Sequence, residues 1–94
     1  MYALAILRYR KPLEEVLKVV EDHRTYLRGL KEQGHLIASG PFEPRHGGGL
    51  LLRVSDLKAL DKIRDEDPFT LTGCAQYELL EWNPVIGKEA LDLI

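Results

Sequence analysis

A chain of 94 residues fits a single domain, residues 1–94, with a modest core, and domains this small often add stability by oligomerising. Hydrophobic residues make up 45% and charged residues 30%, with a formal net charge of −2. That is a soluble globular composition, and its charge argues against a nucleic-acid binder, which carries a basic face.

A single cysteine, Cys74, rules out an internal disulfide and points to a reducing cytoplasm. The start, Met1 to Leu7, is apolar but lacks the basic region, length and cleavage site of a signal peptide. No run approaches a membrane span, so no membrane partner is expected.

Residues 2–9, Tyr-Ala-Leu-Ala-Ile-Leu-Arg-Tyr, read as a strand apolar on both faces. Tyr2, Leu4, Ile6 and Arg8 share one face; Ala3, Ala5, Leu7 and Tyr9 share the other. Pro12 opens a helix predicted to run to Gln33, with Glu14 and Glu15 at its positive end and Gly34 as its cap. Leu13, Val16, Leu17, Val20, Leu27 and Leu30 recur at helical spacing on its buried face. Position 23 lies on that stripe, and the residue there is His23. A titratable group aimed at the core must be hydrogen-bonded or must face a cavity.

His35 to Gly40 read as a short strand ended at Pro41, and residues 42–48 as a loop. Gly47, Gly48 and Gly49 precede a strand and lack the Lys-Ser/Thr of a phosphate loop, so they read as a turn or bulge. Leu50 to Val54 form the next strand. Ser55 caps a second helix with Leu57, Leu60 and Ile63 on its apolar face, ended by Pro68. Phe69 to Gly73 read as a loop and Cys74 to Trp82 as the last strand. The tail after Gly87 reads as one or two helical turns with Leu91 and Ile94 packed down.

The order strand, helix, strand, strand, helix, strand is the split βαβ, ferredoxin-like pattern: α+β, a four-stranded antiparallel sheet with two helices on one face. The other face stays apolar, which calls for a sheet-to-sheet homodimer, with further assembly left open. RNA-recognition modules share the order but need exposed aromatics on the central strands, and Leu50 to Val54 has none.

Metal binding is not expected, because His23, His35 and His46 lack ligand spacing. No cofactor fingerprint is present. Cys74 reads as a small buried hydrophobe. Arg8 is open to two readings, an anionic substrate contact or a salt bridge at the sheet edge. Arg53 reads as a surface or dimer contact.

Three short stretches match a known family in order and spacing: His23-Arg-Thr-Tyr-Leu-Arg-Gly-Leu30, Ala38-Ser-Gly-Pro41 and Asp67-Pro-Phe69. Over residues 2–84 the chain resembles the YciI-like, or YCII-related, family of small bacterial proteins. The resemblance implies a dimer of the α+β-barrel type. It also implies an active site of His23 and Asp67, with Ser39, Gly40 and Pro41 lining the pocket and Phe69 beside it. Some members are linked to dehydrochlorination of aromatic rings; related barrels include muconolactone isomerases and small monooxygenases. The chain departs from the pattern at Val20, where a basic residue is common, and at Phe69, where Tyr is common.

A His–Asp pair is a general acid–base device: imidazole titrates near about 6.5, and the carboxylate fixes its tautomer. The implied function is proton transfer, lyase- or isomerase-like, on a small cyclic or aromatic compound. The alternatives are a binding module that holds a small metabolite without chemistry, and an assembly protein in which the pair only ties two helices together. Ser39 reads as a pocket hydroxyl rather than a nucleophile.

Overall fold

The computed structural model describes residues 1–94. In chain order the elements are β1 (Tyr2–Tyr9), α1 (Leu13–Leu17), α2 (Val20–Glu32), β2 (Leu36–Pro41), β3 (Gly47–Arg53), α3 (Leu57–Glu66), α4 (Pro68–Leu71), β4 (Ala75–Trp82) and α5 (Lys88–Asp92). The four strands form one antiparallel sheet in the order β2-β3-β1-β4. β1 and β2 are separated in the sheet by β3, as the split βαβ pattern requires.

Alternation along β1 buries Ala3, Ala5 and Leu7 on one face. These residues pack with Leu50 and Leu52 of β3 against Val20, Leu27 and Leu30 of α2 and Leu60 and Ile63 of α3. The helices thus cover one face, and that face holds the core. No helix is long and apolar enough to cross a membrane.

The stretch from Pro12 to Gln33 is two helices rather than one. α1 ends where Lys18 and Val19 donate to the carbonyls of Glu15 and Val16, a tight three-residue turn. Val16, Val19 and Val20 crowd χ1 at this point and weaken the helix locally. The bend keeps Val16 buried and turns Leu13 and Leu17 outward, 42% and 50% exposed.

Further boundaries differ from expectation. Asp56, not Ser55, caps α3 by accepting from the Ala59 amide at 2.8 Å. The stretch after Asp67 is a short helix, because Asp67 caps it and Pro68 sits in its first turn. Gly47, Gly48 and Gly49 lie inside β3, not in a turn. A Cβ on Gly47 would sit 1.9 Å from the Leu7 carbonyl oxygen, and one on Gly48 2.8 Å from that of Gly40. The neighbouring strands come too close there for a side chain.

The tail folds over one end of the sheet face away from the helices. Tyr2 donates its hydroxyl to Asp92 at 2.5 Å, and Arg53 donates to the carbonyls of Leu91 and Ile94. Arg53 therefore anchors the tail. Leu91 is half-buried, whereas Ile94 is 61% exposed and held through its backbone rather than its side chain.

Candidate functional site

α2 points Val20, His23, Leu27 and Leu30 at the core. Three of them meet apolar neighbours; His23 meets Asp67. The His23 Nδ1 lies 2.8 Å from Asp67 Oδ1, and Asp67 is fully buried. The carboxyl group arrives there because its residue ends α3 and caps α4 at once. Oδ1 also accepts the Phe69 amide at 2.8 Å, and Oδ2 accepts the Tyr77 hydroxyl. An amide can only donate, so both oxygens face donors, which suits a carboxylate.

With Oδ1 accepting, Nδ1 carries the proton, and the neutral ring keeps its lone pair on Nε2. Nε2 has no protein partner, and it is not sealed away from solvent. The Phe69 ring stacks on the imidazole, centroids 3.9 Å apart and planes within 8°. Tyr9 meets the Phe69 ring edge-on at 6.1 Å. Burial, then the charge and hydrogen bond of Asp67, push the Tyr77 hydroxyl far above the usual tyrosine range, so it stays a donor. Tyr26, donating to the Ile63 carbonyl, is pushed up to about 12 by burial and by the charges of Glu66 and Asp67.

His23 forms part of the wall of a partly enclosed cleft of about 270 Å³. Leu7, Tyr9 and Leu50 contribute from the sheet, and Val20, Arg24 and Leu27 from α2. Ser39, Gly40 and Pro41 of β2 and Gly48 and Gly49 of β3 line another side, with Arg45 and Phe69 completing it. The volume falls between the ~150 Å³ that takes a benzene ring and the ~300 Å³ at which drug-sized sites begin.

The structure thus brings His23, Ser39, Gly40, Pro41 and Phe69 to one cleft and places Asp67 directly behind His23. Ser39 makes no hydrogen bond to His23. Arg8 does not belong to this cleft. Strand alternation turns it to the opposite face, where it pairs with Glu78 at 2.7 Å. The salt-bridge reading of Arg8 is the one the structure supports. No three His, Cys, Asp or Glu side chains converge in a way that could hold a metal ion.

Three residues that sequence reasoning missed belong to the site: Tyr77, Arg24 and Arg45. Tyr77 had a readable signal. It alternates with Ala75 and Leu79 on the inner face of β4, and a buried tyrosine hydroxyl needs a partner. Arg24 is overshadowed by its neighbour His23, and Arg45 comes from an irregular loop whose direction no periodicity sets.

A family model described as the YCII-related domain matches residues 1–83. The chain is similar in structure to 5-chloro-2-hydroxyhydroquinone dehydrochlorinase (TftG) from Burkholderia phenoliruptrix AC1100, solved in complex with 2,5-dihydroxybenzoquinone. The TM-score is 0.80 at 20% sequence identity, covering 90% of this chain and 96% of that one. No curated protein sequence matches this chain.

Proposed function

The chain belongs to the YCII-related domain family, and on that footing we propose that it is a small-molecule enzyme whose His23–Asp67 pair moves a proton on a cyclic or aromatic substrate. The observation that carries this reading is the 2.8 Å contact between Nδ1 and a fully buried carboxylate, with Nε2 left without a protein partner. In a lyase or isomerase step, Nε2 takes a proton from a ring O–H or C–H. The freed electron pair then expels a leaving group or shifts a double bond, and the imidazolium returns its proton to product or water. Asp67 stabilises the imidazolium without taking its proton. Phe69 and Tyr77 act as positioning residues, one holding the ring plane and the other the carboxylate. The dehydrochlorinase likeness supports a ring substrate and an elimination of this kind.

The test is turnover of a panel of hydroxylated and chlorinated ring compounds, followed by chloride release and product mass. His23→Gln should lower kcat/KM at least ~100-fold, the scale of general acid–base catalysis, while leaving the melting profile cooperative. Equal turnover by H23Q and wild type would overturn the reading. A compound that raises Tm but is never converted would favour the binding-module alternative.

The proposal extends to a sheet-to-sheet homodimer. On the face away from the helices, Leu4, Ile6 and Leu51 are only half-buried and Leu80 is 41% exposed. A monomer by light scattering at micromolar concentration would remove this part.

A further inference from the structure

Resting on the reading of the cleft as a substrate site, we infer that its substrate is anionic: a single ring carrying a planar, delocalised oxyanion that Arg24 and Arg45 hold beside His23. The chain is net negative, yet the cleft wall contains two arginines and no Asp or Glu. Arg45 is half-buried, and its one hydrogen bond runs from Nε to the Tyr9 hydroxyl at 3.3 Å, with no carboxylate in ion-pair range. A partly desolvated guanidinium without a counter-charge is costly. Arg24 meets only Glu21, at 3.5 Å and with both side chains exposed, a weak contact that a ligand can displace.

Arg8 with Glu78 at 2.7 Å and Arg64 with Asp65 at 2.9 Å show the closer pairing that Arg24 and Arg45 lack. The neighbouring groove along α2, sharing Arg24 with the cleft, adds Arg28 and Lys31 and again no acidic residue. Cations thus line both the cleft and its approach, an arrangement that favours the arrival of anions. Guanidinium forks match a planar oxyanion two bonds at a time. Such a charge also complements the imidazolium that forms when Nε2 takes a proton. The cleft of about 270 Å³ has room for one ring.

The experiment is calorimetric titration of the full chain with two matched pairs. One pair is gentisate and its neutral amide, gentisamide. The other is 2,5-dihydroxybenzoquinone, a vinylogous acid, and its neutral dimethyl ether. Each anion should bind at least ~10-fold tighter than its twin, a difference of about 1.4 kcal/mol, and the preference should shrink at high salt. The carboxylate pair and the quinone pair tell which oxyanion the site prefers. R24Q and R45Q should each lose most of the preference, whereas R45K should keep part of it.

Equal binding of both twins, no binding by either anion, or full preference in both glutamine variants would overturn the inference. H23Q separates the two ideas. Anion preference without turnover in wild type would sink the catalytic reading alone. His23-dependent turnover with no charge preference would sink the anion inference alone.

Discussion

Replacing Asp67 in two ways separates a buried acceptor hub from an incidental contact. Asp67→Ala leaves three donors without a partner: His23 Nδ1–H, the Phe69 amide and the Tyr77 hydroxyl. Each orphaned buried donor costs about 1–3 kcal/mol, and the α4 cap is lost as well. Allowing for partial relaxation and water entry, the sum is about 4 kcal/mol, a large share of the ~5–15 kcal/mol that holds a small domain together. For a chain of this size that lowers Tm by about 15–30 °C. Asp67→Asn keeps the shape and two acceptor contacts but makes them neutral, and it sets an amide NH₂ against the Tyr77 hydroxyl. Its cost should be about 1–2 kcal/mol. Urea denaturation of both variants, with m-values compared, measures the gap. If D67A proves no less stable than D67N, Asp67 does not hold these groups together.

Tyr77→Phe removes one donor to the same carboxylate and should cost about 1.5–3 kcal/mol, measured in the same urea series. Tyr26 and Tyr77 are both raised. Their contribution to stability is therefore complete below the unfolded value of about 10 and fades as pH climbs through the folded values. Tyrosinate absorbance should show both still protonated in the folded protein at about pH 11; four tyrosines ionising together near the free value would contradict this. Gly47→Ala drives a Cβ to 1.9 Å from the Leu7 oxygen and should destabilise by at least ~2 kcal/mol, seen as a lower Tm; an unchanged Tm would mean β3 does not run through Gly47. Leu4→Lys should shift the light-scattering mass from dimer toward monomer while the far-ultraviolet spectrum stays that of wild type.

Element order was readable because period and punctuation agreed along most of the chain. Ala3, Ala5 and Leu7 alternate where β1 runs, and Val20, Leu27 and Leu30 keep helical spacing on α2. His23 stood out because it broke that second pattern. The break between α1 and α2 was hidden, since no Gly or Pro marks Lys18 and Val19 and the stripe of Leu13 and Leu17 continues through the bend. Gly47 to Gly49 read as a turn because glycine carries no strand preference. Their reason for being glycine is the neighbouring backbone, which only the folded sheet reveals. Asp67-Pro68 was legible as a cap followed by a first-turn proline, but Pro68 was read only as the end of α3. Arg8 was left open between two readings although the alternation already separated it from Leu7, which faces the helices. Arg24 and Arg45 depend on where two unrelated segments meet, and no local pattern carries that.

The measurement to make first is the tautomer of His23, from long-range ¹H–¹⁵N correlation spectra of the protein labelled at histidine, with H23Q assigning the signal. In the neutral ring Nδ1 should be protonated and Nε2 should bear the lone pair, with D67A, which removes the acceptor, shifting the ring toward the other tautomer. An Nε2–H ring in wild type, indifferent to Asp67, would mean that no base faces the cleft, and the acid–base reading would fall.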